Sequence, residues 1–320
     1  MAVVALAAAG CGGEDEDDER RAGIAPPGPP PPAACAPRAD PPGQIAVRPR
    51  WSPGDARKLT IERTVEGAAA SKATGRATGE IRVVKASGSR ATLRYRTGSY
   101  YPAGLGEIPP EVVKQLEEEI PGPTVEYATA RDGRFLRVEN RAAIRRQALK
   151  VNEAVQRRGL ADELEPEELA RINELTLSDV FLNHMAGDPI MIHRPYGFVF
   201  PPGVPVDFDQ PMTSPFGTEP IPAHATYEIT SAKNEHGCVA IDGFLEARSS
   251  DVARAFIDAA ELIEPGEEPP DIEELEGARA SEELHYEFDP VTGWIVRAEQ
   301  ALHFAYGETE QVQRTVISLR

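Results

Sequence analysis

Alternation of apolar and polar positions carries most of the information in this chain. Leu59, Ile61 and Val65 alternate with polar residues, the period of a half-buried strand. Ile81 and Val83 begin a second strand. After the turn Ser87-Gly88-Ser89, Ala91, Leu93 and Tyr95 give a third. Pro109-Pro110 opens a helix whose apolar face is Val112, Val113, Leu116 and Ile120. A hairpin follows, with Val125 and Tyr127, the turn Asp132-Gly133, then Phe135 to Val138. The period then lengthens to that of helices. Asn140 is placed to cap one carrying Ile144, Ala148, Val151 and Val155. Pro166 starts another with Leu169, Ile172 and Leu175, and Ser178 caps a short one through Met185.

Residues 187–222 break the pattern. They hold nine prolines, with Tyr196, Phe198, Phe200, Phe208 and Phe216 among them, and read as a long irregular crossing with short edge strands. Strands return at 225–230 and 239–247, joined by a turn at Asn234 to Gly237. A helix follows from Asp251 to Ile263, with Val252, Phe256, Ala259 and Ile263 on one face. An acidic loop spans 265–280, and strands at 284–288, 294–306 and 312–319 close the chain. In the middle one Trp294, Val296, Ala298, Leu302, Phe304 and Tyr306 are expected on one face, suiting either an ordinary core or the wall of an apolar cavity.

Two hairpins look alike. One contains Gly133-x3-Arg137-x-Glu139 after Tyr127, the other Gly293-x3-Arg297-x-Glu299 after Tyr286. Each ends a run of hairpin, helix, hairpin, so halves at 44–160 and 161–320 are candidates for a repeated unit. Short turns between neighbouring strands predict an α+β body at 44–320, a mainly antiparallel sheet with helices packed on one face.

The start of the chain adds a location. Residues 1–10 (MAVVALAAAG) are small or apolar and uncharged. They are too short to span a bilayer, and read as the apolar part of an export signal. Residues 11–43 hold the charged run GGEDEDDERR and then a proline-dense stretch with Pro29-Pro30-Pro31-Pro32, the composition of a semi-rigid stalk. Leu6-Ala7-Ala8-Ala9-Gly10-Cys11 resembles the lipobox of bacterial lipoproteins, although Ala8 stands where leucine is usual and no basic residues precede the stretch. The resemblance implies an acylated Cys11 as first residue of the mature chain, held at the outer face of the cytoplasmic membrane. Cys35 and Cys238 then remain, either as a disulfide or with Cys238 free and buried.

Charge excludes one partner class. The net charge of −18 argues against nucleic acid, since phosphate binding needs clustered Lys and Arg. It suits a soluble monomer. No residues are singled out as catalytic. The six histidines lack metal-ligand spacing: His184 and His193 are nine apart with Asp188 between. Asp207 and Asp209 sit beside prolines without a calcium loop, and His236 with Asp242 suits a cross-strand pair. There is no G-x-S-x-G elbow and no phosphate-binding glycine loop. No cofactor or metal is expected. Lipobox, stalk and helix-covered sheet together resemble envelope lipoproteins of the LolA/LprG type. That resemblance implies an open half-barrel whose concave face holds acyl chains. The expected function is a non-enzymatic one in the cell envelope, carrying a lipid or other apolar ligand. The alternative is a structural or protein-interaction module on a stalk, and a hydrolase with an unrecognised site is third.

Overall fold

The computed structural model describes residues 43–67, 70–98, 124–157, 166–214, 219–232, 237–263, 275, 277–307 and 309–320. The expected signal stretch, the stalk, Cys11, Cys35 and the helix after Pro109 lie outside the described residues. The strands are β1 (Ile45–Ala46), β2 (Ala56–Gly67), β3 (Ala70–Ala86), β4 (Arg90–Thr97), β5 (Thr124–Ala130) and β6 (Phe135–Val138). After the helices come β7 (Val199–Phe200), β8 (Val206–Asp209), β9 (Ala223–Ser231), β10 (Val239–Ala247), β11 (Arg279–Asp289), β12 (Trp294–Tyr306) and β13 (Thr309–Leu319). The helices are α1 (Arg141–Arg157), α2 (Pro166–Leu177), α3 (Asp179–Met185), α4 (Gly187–His193) and α5 (Ser249–Ile263).

Eleven strands form one antiparallel sheet in the order β6-β5-β4-β3-β2-β13-β12-β11-β10-β9-β8. Neighbours in sequence are neighbours in the sheet, and β13 returns to β2, so both expected halves share one sheet. The body is α+β. β3 starts well before the expected Ile81, because its earlier positions alternate Gly75, Ala77 and Gly79 with polar residues and give no apolar signal. The crossing at 187–222 is less irregular than expected: it holds α4, β7 and β8. Pro189 is tolerated in α4 because it lies in the first turn, where its missing N–H has no intrahelical partner to lose. Ser178 caps α3 as expected, its hydroxyl accepting from the Phe181 N–H at 3.1 Å. The side chain of Asn140 serves β5 instead: it accepts from Glu126 N at 2.8 Å and donates to Thr124 O at 2.7 Å.

The two similar hairpins match in detail. Tyr127 pairs with Val138 and Ala128 with Arg137; Tyr286 pairs with Ala298 and Glu287 with Arg297. The register then shifts in both, so that Leu136 and Val296 are each the extra residue of a bulge. The arginines bond alike, Arg137 to Glu139 and Arg297 to Glu299. In the sheet β3, β4, β5 and β6 stand six places from β9, β10, β11 and β12 respectively.

Six places measure how far the sheet bends. In a flat sheet, strands that far apart would be separated by about 29 Å. Yet one side chain, Tyr196, touches the end turns of both hairpins. Its ring lies where a Cβ on Gly133 would come within 2.6 Å, and its hydroxyl donates to Gly293 O at 2.8 Å. The sheet is therefore strongly curled, with α4 inside the curl against both β6 and β12.

Candidate functional site

The concave face is built from residues of one strand parity. Three rows run across β2, β13, β12 and β11. They are Ile61-Ile317-Ala298-Tyr286, then Arg63-Thr315-Gln300-Leu284, then Val65-Gln313-Leu302-Glu282. The first row is buried throughout. The second is mainly polar, with Thr315 and Gln300 half-buried and the Arg63 side chain 53% exposed.

α4 crosses this face and is fixed at both ends. At its N-terminus Asp188 accepts from Arg63 Nη2 at 2.5 Å and from the Tyr95 hydroxyl. A carboxylate there also complements the helix dipole. Beyond its C-terminus Arg194 donates to Glu282 Oε1 at 2.5 Å, with side-chain exposures of 6% and 0%. Glu282 also accepts from Gln300 Nε2 and, at 3.3 Å, from Thr213 N. Burial works to lower the Arg194 pKa, but the Glu282 charge, helped by Tyr286 and Tyr227, leaves it above its ordinary value. The nearby Tyr227 hydroxyl donates to Gln210 at 2.8 Å. The Tyr286 hydroxyl, fully buried, has no hydrogen-bond partner among the described residues.

The end of the curl beside the turns is closed by aromatic groups. His193 is buried, donating from Nδ1 to Gly133 O at 2.8 Å and accepting the Tyr127 hydroxyl at Nε2, 3.0 Å. Burial lowers its pKa to about 4. Trp51 packs against His193, Tyr196 and Trp294, and its indole N–H donates to Gly293 O at 3.0 Å. The segment leading to Trp51 pairs β1 with β7 and passes the second turn, where a Cβ on Gly293 would meet Arg50 N at 2.4 Å.

The expected apolar face is largely consumed by packing. Trp294 lies under Trp51 and Arg57; Leu302 and Phe304 belong to the core; Tyr306 packs on Phe256 of α5 at 6.2 Å. Val296 is the half-buried extra residue of the bulge that puts Ile295 opposite Phe288. Asp242 faces His285 of β11 at 2.5 Å, where His236 was expected, and His236 is outside the described residues. That hydrogen bond holds the His285 pKa above its ordinary value and the Asp242 pKa below. His184 is exposed on α3, apart from the buried His193. Asp207 and Asp209 flank His224 at 4.0 and 3.6 Å on an exposed edge. Among the described residues, no group of three or more His, Cys, Asp or Glu could hold a metal ion. Among them too, no helix is long and apolar enough to cross a membrane. Cys238 is buried and disulfide-bonded, so the expectation of a free thiol is corrected; the other half of the bond lies outside the described residues.

Sequence reasoning missed the polar row and both ion pairs. Asp188 and Arg194 flank a short helix hidden among prolines. Glu282 lies just past the expected acidic loop at 265–280, and its alternation with Ala280, Leu284 and Tyr286 marks the inner parity. No family model matches the chain, and no curated protein is significantly similar to it.

Proposed function

We propose that this chain is a lipid-anchored protein of the cell envelope, acylated on Cys11 and held at the outer face of the cytoplasmic membrane. Its body binds an apolar or amphiphilic ligand without transforming it. The observation that supports the binding role is the curl: an eleven-stranded sheet is bent so far that strands six places apart share one tyrosine, which gives it a concave inner face. Containers of this shape bury a ligand on several sides at once. The disulfide at Cys238 suits an oxidising compartment outside the cytoplasm. The lipobox-like stretch and the stalk supply the tether.

The test is native mass spectrometry of the full chain carrying Cys11→Ser, exported to an oxidising compartment and purified without detergent. The expected spectrum contains a bound small molecule that organic extraction removes and that can be loaded back. A chain that carries nothing and cannot be loaded overturns the carrier role.

One observation favours the second reading, a structural or interaction module on a stalk. Trp294, Leu302 and Phe304 are buried by the protein itself, and α4 occupies part of the concave face. The same spectrum decides, because such a module stays ligand-free and its partners are found by crosslinking in the envelope.

A further inference from the structure

The polar row on the inner face has a chemistry that narrows the ligand. It begins at Arg63 on β2 and continues through Thr315 to Gln300, which bonds across to Glu282 and so to Arg194 from the next row, where Gln313 also stands; Thr213 is exposed at the rim. Three strand intervals separate its ends, about 14 Å along the sheet. Both guanidinium groups already have a carboxylate at 2.5 Å, Arg63 with Asp188 and Arg194 with Glu282. The charges within the row are thus balanced. An anionic group would meet guanidinium charges already neutralised by carboxylates, in a chain whose net charge of −18 repels it. What the row offers a ligand is the amide of Gln313, the hydroxyl of Thr315 and the amide oxygen of Gln300, whose Nε2 already donates to Glu282 and to Thr213 Oγ1. Amides and hydroxyls both donate and accept, as do the hydroxyls of a polyol. Tyr286 gives an independent pointer. Its hydroxyl is fully buried, has no hydrogen-bond partner among the described residues and interacts electrostatically with Arg194 and Glu282. A buried hydroxyl in that position has hydrogen-bonding capacity to spare.

We infer that this row binds an uncharged, polyhydroxylated group, a sugar or glycerol unit. The inference rests on the reading of the curled sheet as a container. It leaves two sources for the group, the headgroup of an amphiphile or a free glycan.

Calorimetric titration of the full Cys11→Ser chain with three probes separates the outcomes. They are dodecyl maltoside below its micellar concentration, dodecyl phosphate with the same alkyl chain, and maltose alone. The maltoside is expected to bind at least about tenfold tighter than the phosphate. Thr315→Val and Gln313→Ala should each weaken it about fivefold to tenfold, leaving the unfolding midpoint and the phosphate affinity unchanged. If maltose matches the maltoside, the inference stands with a free glycan as source. Equal binding of both alkyl probes, insensitive to the two substitutions, overturns the inference and leaves the container reading intact. Tighter phosphate binding does the same. Binding of none of the probes, in a chain that is also ligand-free as purified, overturns both.

Discussion

Tyr196 joins two turns whose strands lie six places apart, so its hydroxyl is where the curl is most directly tested at the residue scale. Tyr196→Phe leaves the ring in place but strips Gly293 O and Ile295 N of a partner. The expected loss is about 1–3 kcal/mol, read from the denaturant midpoint. The glycines at the two turns are required for two reasons. Gly133 and Gly293 have φ of +96° and +69°, and a Cβ would run into the Tyr196 ring and the backbone of Arg50. Gly133→Ala or Gly293→Ala should each cost about 1–3 kcal/mol from backbone strain alone, with the clash added. His193 gives a pH signature. Its folded pKa of about 4 lies below the unfolded value, so the unfolded chain takes up the proton first as pH falls. This contribution is complete above about pH 6.5 and is lost between there and about pH 4, on the order of 3 kcal/mol. Urea unfolding at pH 7 and pH 4.5 should show the loss, and His193→Phe should flatten it. A slope unchanged by that substitution would assign it to other groups.

At the scale of elements, α4 decides how the inner face is used. It is tied down at each end by a carboxylate–arginine pair, one half-exposed and one buried. Glu282→Gln leaves Arg194 buried without its counter-charge, and the expected cost is about 3–5 kcal/mol. The double change Arg194→Met with Glu282→Leu should cost less than either single change, because no buried charge is then left unpaired. Thermal unfolding of the three variants checks the order. The hairpins were readable from sequence because a glycine turn between alternating runs is a local signal. Their likeness was readable too, down to Arg137 and Arg297, although the shared bulge was not. α4 was not readable, because seven residues containing Pro189 carry little helical period. Nor was the first half of β3, where Gly75, Ala77 and Gly79 take the inner positions.

At the scale of the molecule, an antiparallel sheet could be expected, since each short turn fixes one neighbour. Its curl could not, because the β13–β2 pairing joins residues near opposite ends of the body and the curl depends on contacts six strands apart. The site was hidden for the same reason. Arg63, Asp188, Glu282 and Gln300 come from four separate elements and share no motif. The Cys238 disulfide belongs to this scale as well. Intact mass under non-reducing conditions should show an acylated Cys11, with Cys35 and Cys238 both blocked to alkylation until reduction. An alkylatable Cys35 would place the other half of that bond elsewhere. The central claim, that a ligand lies within the curl, is tested most directly by photolabelling. A diazirine-bearing alkyl glucoside would be crosslinked to the full Cys11→Ser chain and the labelled peptides sequenced. Saturable labelling is expected at inner-face positions on β2, β12 and β13, among them Arg63, Gln300 and Thr315. Labelling confined to outward positions such as Glu62 and Phe244, or labelling that does not saturate, would contradict it.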